Sequence, residues 1–254
     1  MICLLRDFFN LSFLSSYLAV ARGRVDVYNL SMSRILIKIS VLLLLFSLAQ
    51  PAELYKKVIH NTDANAKCLD GSSPAVYLHQ GSDKNKLLIY FVGGGYCMGN
   101  SLSEVLESCY KRSKTDLGSS RSLPETYQGQ GILSTDPATS KFASWTKVII
   151  NYCDGAFHSS ATKQTYRYKD AELYFRGSDI TRSHLKWLTN NYDLPSAQKV
   201  LLAGSSAGGS AAWLWSTYVS GLMSNPMGLS VVADSSVFMN LPTVSGEMKL
   251  ETQA

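Results

Sequence analysis

The residues with the clearest chemical potential are Gly204-Ser205-Ser206-Ala207-Gly208-Gly209, which follow the apolar run Val200 to Ala203 and precede the helix-like stretch Ala211 to Trp215. Gly-x-Ser-x-Gly in a strand-to-helix turn is the pattern of a nucleophile elbow. The spacing follows from sterics. The serine must sit in a strained turn, and any side chain at the flanking positions would collide with the neighbouring strand or helix. Gly204 and Gly208 supply the room, so Ser206 is the candidate nucleophile for acyl transfer. A glycine-rich turn at a helix start can also cradle an anion, but this one lacks the lysine of a phosphate-binding loop.

A second cluster, Gly93-Gly94-Gly95, follows the apolar run Leu87 to Val92. A loop in that place carries the other half of an oxyanion hole when the elbow is catalytic. Backbone N–H groups of Ala207 and of Gly94 or Gly95 would then point at the developing oxyanion, each such donor typically being worth ~3 kcal/mol.

Positioning these groups requires strands that end where the glycines begin. Leu87 to Val92, Val148 to Tyr152, Val200 to Ala203 and Leu229 to Ala233 are short, apolar and rich in branched or aromatic residues, the lengths of buried strands. Between the second and third, Ser178 to Asn191 places Ile180, His184, Trp187 and Leu188 near one helical side, and Pro195 stops it. Strands alternating with helices imply a mostly parallel sheet in a three-layer α/β domain. The Gly-, Ser-, Thr- and Pro-rich stretch Ser113 to Thr139 reads as a long surface excursion over the sheet edge.

The chain has 254 residues, 46% hydrophobic and only 17% charged, which excludes disorder, coiled coil and collagen. Its net charge of +5 is carried largely by Arg6, Arg22, Arg24, Arg34 and Lys38. With no basic cluster in the remainder, a nucleic-acid partner is not expected. From Arg34 to Ala49 a basic start, an apolar centre and the small residues Ser47 and Ala49 describe a secretory signal peptide. The expected organisation is an upstream extension over 1–31, a signal peptide over 32–49 and one domain over 50–254. The apolar centre is short of the ~20 residues of a membrane span, so no stable span is expected after cleavage. The rival expectation is a signal anchor in the secretory membrane system. Secretion favours disulfides among Cys68, Cys97, Cys109 and Cys153, whose spacing fits no metal pattern. Three pairings are open. Cys97 and Cys109 flank a short loop that one bridge could close, leaving Cys68 with Cys153.

Taken together, Gly93 to Cys97, Cys109, Arg112, Leu117 to Ser120, Gly131 to Leu133, Phe142, Trp145, Tyr152 to Gly155, Phe175 to Gly177, Gly204 to Gly209 and Asp234-Ser235 resemble the pectin acetylesterase and Notum carboxylesterase family, in the family's order. The resemblance implies an extracytoplasmic α/β-hydrolase that removes an acyl group from an acylated polysaccharide or protein, with Ser206 as nucleophile, Gly94, Gly95 and Ala207 as oxyanion hole, and no metal or organic cofactor. Tyr96, Asp234 and His158 are candidate site-lining residues. The sequence departs from the family in having Val92 where a Glu usually precedes the glycines and Tyr96 in place of a Trp. A larger departure is that the fold orders its triad Ser, Asp or Glu, then His, whereas His60, His79, His158 and His184 all precede Ser206. The expectation is a domain incomplete at its carboxyl end, lacking the later Asp/His segment. The alternative is a catalytically inactive secreted binder of acylated glycans or lipidated proteins.

Overall fold

The computed structural model describes residues 53–60 and 62–236. The expected extension over 1–31 and signal peptide over 32–49 lie outside them. A seven-stranded mixed sheet organises the domain: β1 (Tyr55–Ile59), β2 (Ala75–His79), β3 (Asp83–Phe91), β4 (Thr126–Tyr127), β5 (Trp145–Ile150), β8 (Lys199–Ser205) and β9 (Leu229–Asp234) lie in the order β4-β1-β2-β5-β3-β8-β9. The block β5-β3-β8-β9 is parallel, and β4, β1 and β2 extend it antiparallel. The four strands expected from apolar runs are the parallel block. β1 carries two lysines before its branched residues, and β2 is the short run Ala75 to Leu78 closed by His79.

Over their apolar runs the inner strands β3, β5 and β8 are largely buried on both faces, whereas β9, at the sheet edge, is half-buried to exposed. On one face Val76, Ile89, Val148 and Leu202 pack against α2 (Gly177–Asn191), through Leu185 and Leu188, and α3 (Ala207–Leu222), through Ala211, Ala212, Trp215 and Val219. On the other face Tyr77, Leu88, Ile149 and Leu201 meet Leu123, Leu133, Phe142 and Trp145. The third layer is therefore irregular chain from the long excursion rather than a helix. Lys147, fully buried on β5, donates to the carbonyls of Ser134 and Ala143 and so anchors it, with burial pulling its ammonium down to about 8.

A third cluster joins α1 (Leu102–Arg112) to the hairpin of β6 (Thr165–Tyr168) and β7 (Ala171–Tyr174) through Leu106, Leu173, Tyr166 and Phe175. α1 begins where Ser101 Oγ accepts the Glu104 N–H and Glu104 accepts the Asn100 N–H, a variant of reciprocal capping. Two disulfides, Cys68–Cys153 and Cys97–Cys109, have Cα separations of 4.9 and 5.2 Å. The second joins α1 to the loop after β3. No described helix is long and apolar enough to cross a membrane.

Candidate active site

β8 ends at Ser205, α3 begins at Ala207, and Ser206 between them has φ 53° and ψ −126°. Such a backbone is strained for a residue with a Cβ and persists only where its surroundings hold it. The holding groups are explicit. The Ser206 N–H donates to the Asp234 carbonyl at 2.9 Å, and the Ser206 carbonyl accepts the N–H groups of Gly209 and Ser210. A Cβ at Gly204 would lie 2.2 Å from the Gly208 carbonyl oxygen, and one at Gly208 would lie 2.1 Å from the Phe91 oxygen. The two elbow glycines therefore let α3 press onto β3 and β8 at the turn. Ala207 heads the helix, where first-turn N–H groups have no intrahelical acceptor.

The loop leaving β3 meets the elbow directly. At Gly93 a Cβ would stand 2.2 Å from the Ser205 carbonyl oxygen and 3.2 Å from the Ser206 Cβ. Gly94 and Gly95 follow with φ +140° and +68°, conformations that L side chains rarely adopt, and both are exposed. Space around Gly95 is open, since an added Cβ would meet nothing within 4 Å. Thus the nucleophile candidate and the oxyanion-loop candidates come together at the carboxyl ends of adjacent strands.

His158, which the sequence marked as site-lining, is 2% exposed and lies beneath this loop. Its Nε2 is 2.8 Å from the Val92 carbonyl oxygen, which can only accept, so Nε2 carries the proton. Its ring stacks on Tyr152 and meets Phe91 edge-on, while its own carbonyl accepts from Thr181 and the Trp215 indole. Burial holds this imidazole below its ordinary range, against the opposing pull of Asp154 and the Val92 carbonyl. The polar function of a Glu before the glycines is thus absent, and the loop is braced at Val92 through its backbone instead. Phe157 and His158 both have φ near +56°, a second strained pair beside the site. Tyr96 lies against Phe157 with ring centroids 4.8 Å apart.

Asp234 is paired in register with Ser205, and its exposed carboxylate accepts from Ser235 Oγ at 3.0 Å. Its backbone, not its side chain, reaches Ser206. Among the described residues none hydrogen-bonds Ser206 Oγ. The other histidines are engaged elsewhere: His60 Nε2 is 2.8 Å from His184 Nδ1, His60 Nδ1 meets Thr62 Oγ1, and His79 faces Glu53 at 3.5 Å. No group of three or more described His, Cys, Asp or Glu residues could hold a metal ion.

Two contributors were not singled out from sequence. Tyr90 donates to Ser205 Oγ at 3.1 Å, a contact hidden in a strand read only as an apolar run. Arg112, noted as part of a motif without a role, donates to the Gly94 carbonyl at 2.8 Å and the Leu117 carbonyl at 3.0 Å.

Comparison with known proteins gives these features a context. The family described as Pectinacetylesterase matches residues 48–253. Pectin acetylesterase 5 of Arabidopsis thaliana is 32% identical over 201 residues, covering 77% of this chain and 45% of the relative. The human palmitoleoyl-protein carboxylesterase NOTUM is 32% identical over 157 residues, covering 60% and 29%. Among solved structures, the Wnt deacylase Notum from Drosophila superposes with a TM-score of 0.64 at 25% identity, covering 75% of this chain and 55% of that one. The chain spans about half the length of the curated pectin acetylesterases it matches. With the match running through both the oxyanion loop and the elbow, the chain belongs to the pectinacetylesterase family.

Proposed function

We propose that this chain carries the nucleophile and oxyanion hole of a secreted serine carboxylesterase that removes acetyl or other acyl groups from a polysaccharide or protein. The observation that carries this reading is Ser206 held at φ 53° with Gly93 packed against the Ser205–Ser206 backbone turn and the exposed Gly94 and Gly95 directly following it. In the reaction Ser206 Oγ bonds to the ester carbonyl carbon while its proton passes to a general base. Negative charge on the carbonyl oxygen is met by N–H groups of Ala207 and of Gly94 or Gly95. The ester C–O bond then breaks, the proton going to the leaving alcohol. Water repeats the sequence to release the acid and restore Ser206. The relatives' names supply the substrate classes, acetyl esters of pectin and a palmitoleoylated protein.

Turnover of p-nitrophenyl acetate and of longer p-nitrophenyl esters tests the reading and ranks acyl length. Ser206→Ala should lower turnover by ~10³-fold or more, and an unchanged rate in that variant overturns the assignment. A specific observation favours a second reading, an inactive binder in the same cleft, because each described histidine is engaged away from Ser206 Oγ. Under that reading the protein binds acetylated polysaccharide in equilibrium dialysis and hydrolyses none of it.

A further inference from the structure

We infer that Arg112 is a positioning residue for the oxyanion hole: its guanidinium fixes the Gly94–Gly95 peptide so that the Gly95 N–H faces the substrate carbonyl. This inference rests on the esterase reading for its functional consequence. Its structural part stands on the contacts alone.

In a trans peptide the C=O of one residue and the N–H of the next point in opposite directions. Whatever holds the Gly94 oxygen therefore aims the Gly95 N–H the other way. Glycine needs such help more than other residues, because it passes readily between positive and negative φ. Arg112 Nη2 donates to the Gly94 oxygen at 2.8 Å while Nε donates to the Leu117 oxygen at 3.0 Å, so the fork is held at two points. Its flat face lies 4.7 Å from the centre of the Tyr152 ring, which fixes the third dimension. The Leu117 side chain closes the same turn, with Cδ2 2.7 Å from where a Cβ at Gly94 would stand.

Arg112 is itself anchored. It is the last residue of α1, three positions after Cys109, whose disulfide to Cys97 returns to the loop only two residues beyond Gly95. Gly155 completes the seat: its carbonyl accepts the Cys97 N–H at 2.8 Å, and a Cβ there would meet Cys97 Sγ at 2.5 Å. At the loop's other end His158 holds the Val92 carbonyl. Two carbonyl clamps thus hold the glycine loop, at Val92 and at Gly94, and among the described residues Arg112 is the side chain that holds the Gly94 oxygen, next to Gly95, whose Cβ direction is open.

Crystal structures of the wild type and of Arg112→Ala, with esterase kinetics on both, test this. The expected result is that the Gly94 carbonyl leaves its wild-type direction, kcat falls roughly 10- to 100-fold, less than outright removal of such a donor, and KM stays close to wild type. Millimolar guanidinium should restore part of the lost kcat, and Arg112→Lys, which keeps the charge but cannot span both carbonyls, should fall between. A Gly94 carbonyl that keeps its direction in Arg112→Ala overturns the inference, as does an unchanged kcat in a variant whose carbonyl has moved. If Ser206→Ala retains full turnover, the esterase reading fails while the clamp is still judged by the carbonyl. Should Arg112→Ala not fold, Arg112→Lys carries both measurements.

Discussion

Single residues in this site are constrained for different reasons, and substitution separates them. Gly208 is glycine because a Cβ would sit 2.1 Å from the Phe91 oxygen and 2.7 Å from its carbonyl carbon, neither of which can swing away. Gly95 is glycine because of its φ of +68°, with open space around it. Gly208→Ala should cost about 3 kcal/mol through forced backbone movement, while Gly95→Ala should cost only ~1 kcal/mol. Urea unfolding of the two variants checks the order, and a Gly95→Ala variant less stable than Gly208→Ala would contradict it.

Elements carry the next level of prediction. The Cys97–Cys109 bridge closes a loop of sequence separation 12 that contains the start of α1. Replacing both cysteines by serine should cost about 2–3 kcal/mol, with the largest gain in amide exchange over 93–112. Uniform exchange across the domain would place the effect elsewhere. β1 is joined to α2 through the histidine pair. His60 is stacked on Trp187 at 4.9 Å and its imidazole is pulled down to about 4 by burial; His184, fully buried with Nε2 lacking a described partner, is held well below its usual value. Both folded-state values lie under 6.5, so as the pH falls the unfolded chain takes up protons before the folded one. The stability is present above about pH 6.5 and drains as the pH falls toward 4. Melting temperatures across that window should drop, and His60→Phe, which retains a ring against Trp187, should flatten the drop. Parallel curves for the two proteins would remove the pair from the explanation.

At the scale of the whole molecule, the parallel block β5-β3-β8-β9 brings two glycine-rich turns together at the carboxyl ends of β3 and β8, the usual place for a ligand in α/β proteins. β9 is the edge strand of the described sheet, with Val232 47% exposed, and Trp213 on α3 is 69% exposed. The signal-peptide reading predicts that protein collected from culture medium begins at Gln50. N-terminal sequencing decides it, and a protein that stays in the membrane fraction with residues 32–49 attached supports the anchor instead.

The elbow was legible in the linear sequence because its constraint is local: strand, glycine, serine, glycine and helix lie within a few residues, and sterics dictate their order. The same holds for β3, β5 and β8, which are buried on both faces over their apolar runs, while β9 was legible from its branched residues although it lies half-buried to exposed at the sheet edge. β1 and the β6–β7 hairpin escaped because they are partly exposed; β2 escaped although Ala75 to Leu78 is apolar and mostly buried, and α1 although Ser101 and Glu104 stand at capping positions. The roles of His158 and Arg112 had no local signature at all. His158 was read as a neighbour of the pocket, yet its ring reaches a carbonyl 66 residues earlier. Arg112 reaches one 18 residues away. Side-chain bonds to backbone carbonyls depend on nothing in the acceptor's residue type, so no pattern of residues announces them. They exist only once the sheet, the disulfide and α1 have brought the two pieces of chain within hydrogen-bonding distance.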